Sequence, residues 1–120
     1  MKTYQRLCEE TRARIREIDP DELDGASDLV LIDIREPEEV AGGTLPGALC
    51  IPRGRLEKLV ESLELEPERG ICLYCQTGGR SALAAEALGA MGYADVRSLA
   101  GGIVGWSESG RDRSEEHTSE

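Results

Sequence analysis

The sequence predicts a three-layer α/β domain, with a mainly parallel central sheet and helices on both faces. Three observations carry this. Two short runs are almost wholly apolar, Leu29-Val30-Leu31-Ile32-Asp33-Ile34 and Ile71-Cys72-Leu73-Tyr74. Such runs suit strands buried on both sides of a parallel sheet. Helical signals alternate with strand signals along the chain, which is the order of βα units. The 120 residues, 39% of them hydrophobic, suffice for one core. No internal repeat or linker divides them.

Each element has a local reason. Tyr4, Leu7, Thr11, Ile15 and Ile18 recur at three- and four-residue spacing among Arg and Glu, which predicts an amphipathic helix over about 3–16. Asp19-Pro20-Asp21-Glu22 offers an N-cap, a proline at N1 and a glutamate at N3, so a short helix starts there. The first apolar run follows as a strand. Glu36-Pro37-Glu38-Glu39-Val40 opens one helical turn, Leu45-Pro46-Gly47-Ala48 is a turn, and Leu49-Cys50-Ile51 is a short strand. Leu56, Leu59, Val60 and Leu63 mark a helix over about 54–63. Ile71–Tyr74 is the second central strand. Leu83, Ala84, Ala87, Leu88 and Met91 form a helical stripe ending at Gly92. Val96-Arg97-Ser98-Leu99 is a further strand, and Gly101-Gly102 turns the chain into a last helix around Ile103, Val104 and Trp106.

Composition excludes several kinds of function. The formal net charge is -10, from 14 basic and 24 acidic side chains. Such a chain repels phosphate backbones and anionic lipid, so neither nucleic acid nor a membrane is an expected partner. No stretch approaches the roughly 20 apolar residues of a membrane span. The N-terminus has no apolar segment of signal-peptide type, so the expected location is cytoplasmic. The single histidine is His117, in the polar stretch Arg113–Glu120. That stretch reads as the in-frame translation of sequencing-adapter DNA, and residues 113–120 are set apart as a non-native tail. Residues 1–17 are then an N-terminal helix and 18–112 the domain proper. Without a placed histidine, a Ser-His-Asp triad, a Cys-His protease and an HExxH metal site are all excluded.

Chemistry must therefore run on cysteine, carboxylates, arginine or backbone dipoles. The informative segment is Cys75-Gln76-Thr77-Gly78-Gly79-Arg80-Ser81, between a central strand and a helix. Ligands of parallel sheets sit at the carboxyl ends of strands, where Cys75 stands. The two glycines let the backbone curl so that successive N–H groups converge on one spot. The next helix aims its positive end there. Cys75 is the candidate nucleophile, and such a cradle with Arg80 beside it favours a thiolate. Gln76, Thr77, Gly78, Gly79 and Arg80 are the candidate binding residues. Asp33, Arg35 and Ser81 are expected to support them, Asp33 and Arg35 most simply as an ion pair. Cys72 and Cys75 spell C-x-x-C, but in an extended strand their Cα atoms lie about 10 Å apart, beyond disulfide reach. Cys72 and Cys50 are expected in the core. No second close cysteine pair exists for a zinc site. Trp106 is expected to anchor the last helix.

These segments resemble the rhodanese (sulfurtransferase) family over most of residues 18–110. Asp33-Ile34-Arg35-Glu36-Pro37-Glu38-Glu39 is similar to its D-[VI]-R-E-x-x-E segment. Gly43-Thr44-Leu45-Pro46-Gly47-Ala48 is similar to its G-H-I-P-G-A segment, with Thr44 in place of histidine. Cys75–Ser81 is similar to its C-x-x-G-x-R-S loop. Leu99–Trp106 is similar to its L-x-G-G-x-x-x-W closure. The resemblance implies a rhodanese-like fold and transfer of sulfane sulfur, from a donor such as thiosulfate to a thiol or cyanide, through a persulfide on Cys75. It implies no cofactor and no metal. Related phosphatases and arsenate reductases use C-x5-R, whereas Cys75 to Arg80 is C-x4-R and position 81 is serine. The alternative is a non-catalytic or partner-dependent rhodanese-homology module that carries or senses a persulfide. A protein thiol is a possible acceptor in either case.

Overall fold

The computed structural model describes residues 1–114. Its sheet has five strands, β1 (Arg16–Ile18), β2 (Val30–Asp33), β3 (Leu49–Cys50), β4 (Ile71–Tyr74) and β5 (Val96–Leu99). All pair in parallel, in the spatial order β1-β5-β4-β2-β3. The helices are α1 (Tyr4–Arg12), α2 (Pro20–Gly25), α3 (Pro37–Val40), α4 (Leu56–Glu61), α5 (Gly79–Ala90) and α6 (Gly102–Glu108). The expected α/β architecture is present.

Two cores flank the sheet. On one face Ile32, Ile71 and Leu73 pack with Leu56 and Val60 of α4 and Ala84, Ala85 and Leu88 of α5. On the other, Cys72, Tyr74 and Leu99 pack with Leu23 of α2 and Ile103 and Trp106 of α6. Alternation along β4 therefore sends Cys72 and Cys75 to opposite faces. α2 carries the expected capping box: Asp19 accepts from the Glu22 N–H at 2.8 Å and Glu22 accepts from the Asp19 N–H at 2.9 Å. Trp106 donates from its indole N–H to the Asp112 carbonyl at 2.9 Å, and so anchors α6.

Three expectations need correction. The N-terminal helix stops at Arg12, and residues 16–18 are an edge strand. Ile18 continues the helical spacing only by coincidence; it is buried as a strand residue. The buried face of α1 is Cys8 and Thr11, while Leu7 is exposed. Cys50 is exposed, because β3 is a two-residue edge strand at the margin of the sheet.

His117 and most of the polar C-terminal stretch lie outside the described residues. Of that stretch, Arg113 and Ser114 are described. Ser114 exchanges both backbone hydrogen bonds with Thr44, at 2.7 and 2.9 Å. Among the described residues no helix is long and apolar enough to cross a membrane.

Candidate active site

Strand order fixes where a site can form. From β2 the chain runs outward to β3, and from β4 it runs the opposite way to β5. The loops leaving β2 and β4 diverge there, opening a crevice at the carboxyl ends of two adjacent strands. The loop after β2 carries Arg35, and the loop after β4 is Cys75–Gly78, leading into α5.

Cys75 is 1% exposed. Its Sγ accepts a hydrogen bond from the Gly78 N–H at 3.2 Å and lies 3.6 Å from the Ser81 hydroxyl oxygen. That hydroxyl is held by Ser98 Oγ at 2.8 Å and donates to the Gly78 carbonyl at 3.3 Å. Gly78 has φ +105°, a left-handed conformation that glycine adopts without a Cβ penalty. This conformation brings its N–H round onto the sulfur.

The rest of the loop is shaped from behind by α6. The Ile103 and Val104 N–H groups donate to the Cys75 and Gln76 carbonyls at 3.0 and 3.1 Å. Carbonyl and following N–H point oppositely across a trans peptide, so this turns the Gln76 and Thr77 N–H groups away from α6. The close approach needs Gly102, with φ +59°. A Cβ there would meet the Cys75 carbonyl oxygen at 2.5 Å, and the Gln76 carbonyl closer still.

Arg35 ties the two loops together. It is 2% exposed and pairs with Asp33, 0% exposed, through Nε and Nη2. The same guanidinium donates to the Gly43 carbonyl at 2.7 Å and to Gln76 Oε1 at 3.2 Å. A buried charge is tolerated only when paired and hydrogen-bonded like this. Arg80 leaves the start of α5 and meets Glu39 of α3 with both nitrogens, at 2.9 Å each. Glu39 also accepts from the Glu36 N–H at 2.9 Å. The Arg80 hydrogen bonds, with that backbone bond, hold its carboxyl down at about 2, against the opposing effect of burial.

The expected loop and supporting residues thus gather around the Cys75 loop, although Thr77 makes no side-chain hydrogen bond to another described residue. Glu39, Ser98, Gly102 and the Ile103 and Val104 amides belong to the site and were not singled out as functional in the sequence. For Glu39 the signal was its place at the end of the D-I-R-E-P-E-E segment. For Gly102 it was the paired glycine itself. Burial pushes the Cys72 thiol up to about 12, which keeps it a neutral core side chain. Among the described residues no group of three or more His, Cys, Asp or Glu is arranged to hold a metal ion.

The site is thus a cysteine at the fork of a parallel sheet, wrapped by a glycine-rich strand-to-helix loop. The chain matches the rhodanese-like domain family over residues 19–109, and it belongs to that family. It is 35% identical over 100 residues to a sulfurtransferase of Allochromatium vinosum, covering 80% of this chain and 92% of that one. It is 33% identical over 93 residues to thiosulfate:glutathione sulfurtransferase of Homo sapiens, covering 65% of this chain and 78% of that one. The fold is similar to a Rhodopseudomonas palustris protein of unknown function described as a possible tyrosine phosphatase, with TM-score 0.80, 30% identity, and coverage of 94% and 95%. It is also similar to the polysulfide-sulfur transferase homodimer of Wolinella succinogenes, with TM-score 0.75, 27% identity, and coverage of 95% and 90%. The family is one of sulfurtransferases.

Proposed function

We propose that this chain is an enzyme that moves sulfane sulfur from a small donor such as thiosulfate to a thiol or cyanide, through a persulfide on Cys75. The observation that carries this reading is the Cys75 sulfur, enclosed by its own loop and receiving the Gly78 N–H at 3.2 Å. Backbone donors directed at a sulfur stabilise negative charge on it. They serve the thiolate first and the terminal sulfur of a persulfide afterwards.

The steps balance without a cofactor. The Cys75 thiolate attacks the outer sulfur of thiosulfate. A new S–S bond forms, the S–S bond of thiosulfate breaks, and its electron pair leaves with sulfite. An acceptor thiolate then attacks the outer sulfur of the persulfide, taking it and restoring the Cys75 thiolate. Cyanide does the same and leaves as thiocyanate. The C-x4-R spacing supports this over phosphoryl transfer, since the shorter loop suits one terminal sulfur better than a tetrahedral oxyanion.

The test is intact mass after thiosulfate, then after cyanide. Wild type should gain one sulfur atom and lose it again, and Cys75→Ser should gain none. Uptake by Cys75→Ser would place the sulfur elsewhere. Uptake by wild type without release to any thiol or to cyanide would favour a carrier or sensor module over an enzyme.

A further inference from the structure

The matched family span begins at residue 19, yet α1 reaches the active-site loop. Its start is capped by Thr3, whose hydroxyl accepts from the Arg6 N–H at 3.1 Å. Cys8 and Thr11 are its buried contacts. Just beyond its end, Arg14 grips Glu86 of α5 with two hydrogen bonds, at 2.6 and 3.0 Å. Anchored in this way, α1 sets the Tyr4 hydroxyl against Gly79. A Cβ on Gly79 would lie 2.7 Å from that hydroxyl and 3.3 Å from the Cys8 sulfur. A side chain at position 79 would have to push the phenol aside.

The two cations of the site are already committed. Arg80 is matched by Glu39 and Arg35 by Asp33. Tyr4 is 59% exposed, and its hydroxyl lies against Gly79 at the start of α5. Local burial and a hydrogen bond with the Cys8 thiol, which an arriving oxyanion would have to replace, hold its pKa above the ordinary tyrosine value, with Cys75 adding to the rise and Arg80 opposing it. The hydroxyl thus stays protonated at neutral pH and close enough to sense both groups.

We propose that Tyr4 is a specificity-determining residue of the Cys75 site, its hydroxyl donating a hydrogen bond to the sulfonate oxygens of an anionic sulfane-sulfur donor. This rests on the sulfane-transfer reading of Cys75. When the outer sulfur of such a donor reaches Cys75, its oxyanion end projects from the loop. A neutral O–H at the rim can meet it without adding charge to an acidic protein.

The experiment compares two donors in wild type, Tyr4→Phe and Tyr4→Ala. One is thiosulfate; the other is the hydropersulfide of a neutral thiol, which has no oxyanion. The readout is the donor concentration giving half the maximal rate of persulfide formation, followed by intact mass. Tyr4→Phe should raise that concentration about 3- to 10-fold for thiosulfate, the loss of one hydrogen bond. The maximal rate, and the rate with the hydropersulfide, which has no sulfonate, should be unchanged, as for a contact present equally before and during the reaction. No change with thiosulfate would overturn the proposal. An equal loss with both donors would also overturn it, showing that Tyr4 only packs the loop. Tyr4→Ala should match Tyr4→Phe for thiosulfate, because the hydroxyl and not the ring is the ligand; a much larger defect in Tyr4→Ala alone would overturn that assignment. If wild type takes sulfur from neither donor, the persulfide reading itself fails, an outcome distinct from these.

Discussion

Arg80 and Glu39 face each other as two forks, Nη1 donating to one carboxylate oxygen and Nη2 to the other, at 2.9 Å each. The pair joins the first turn of α5, which closes the Cys75 loop, to α3, which follows the buried Asp33–Arg35 pair. Arg80 is therefore a cross-brace as well as a nearby cation. Its charge near Cys75 is offset by a carboxylate that stays ionised down to about pH 2.

That relationship has a pH signature. The folded pKa of Glu39 is depressed, so its stabilisation is present above its unfolded pKa of about 4.3 and is lost as pH falls toward 2. Both side chains are about one-third exposed, and solvent screening limits the pair to about 0.5–1 kcal/mol. Glu39→Gln should therefore lower thermal stability slightly at pH 7. The gap to wild type should close between pH 4.3 and 2, where the wild-type carboxyl becomes neutral. Melting curves across that range check it, and a gap independent of pH would mean the pair adds no charge-dependent stability.

The parts legible in the sequence were those written locally. β4 lies where its apolar run is, and the Asp19 capping box spells out α2. The Cys75 loop announces itself by its glycines and by the strand before it. What stayed hidden depends on partners distant in sequence. Glu39 and Arg80 are 41 positions apart, and the D-I-R-E-P-E-E segment that holds Glu39 says nothing of its partner. Cys50 sits between apolar neighbours, but its exposure follows from the sheet ending at β3. The three-residue β1 is too short for a period of two to show against the helical spacing before it. Gly79 is explained only once α1 is laid across it.

Gly102 shows the same dependence most sharply, and its substitution should be severe. A Cβ would meet the Cys75 and Gln76 carbonyl oxygens, which are backbone and cannot swing aside, at a φ of +59°. Left-handed strain and a backbone clash together predict a loss of about 2–4 kcal/mol for Gly102→Ala. Because the displaced atoms belong to the loop, persulfide formation should fall as well. Denaturant midpoints and single-turnover sulfur uptake measure the two effects. A loss under about 1 kcal/mol with normal uptake would show that α6 can retreat without disturbing the cradle.

Cys72 should behave as packing alone. It is fully buried, on the sheet face opposite Cys75. Its thiol, pushed up to about 12, is not a nucleophile at neutral pH. Cys72→Ala removes one sulfur from a closed core, a change on the order of 1 kcal/mol. Sulfur uptake and release should keep their wild-type rates. Loss of release in a well-folded Cys72→Ala would give Cys72 a resolving role that its place in the strand argues against.

Arg80 is the residue whose electrostatic and bracing roles can be separated. It cannot act as a base, because its guanidinium stays protonated, and the hydrogen bonds it donates to Glu39 raise its pKa further. Arg80→Ala removes the cation and leaves the Glu39 carboxylate unmatched beside the loop. Both effects work against a dianionic donor. Losing a charge-assisted contact typically costs about 1.5–3 kcal/mol, roughly 10- to 150-fold in rate, and partial exposure places Arg80 toward the lower figure. Thiosulfate turnover should fall by about that factor, while transfer from a hydropersulfide, which carries less charge and no sulfonate, should fall less. Arg80→Lys should recover only part, since an ammonium cannot meet both Glu39 oxygens in one plane. Adding Glu39→Gln to Arg80→Ala should restore some thiosulfate activity, because it removes the stranded negative charge. The deciding measurement is the ratio of the two donors' rates in each variant. If Arg80→Ala lowers both equally and Glu39→Gln recovers nothing, the pair acts only by holding α5 and α3 together, and the charge of Arg80 plays no part in selecting the donor.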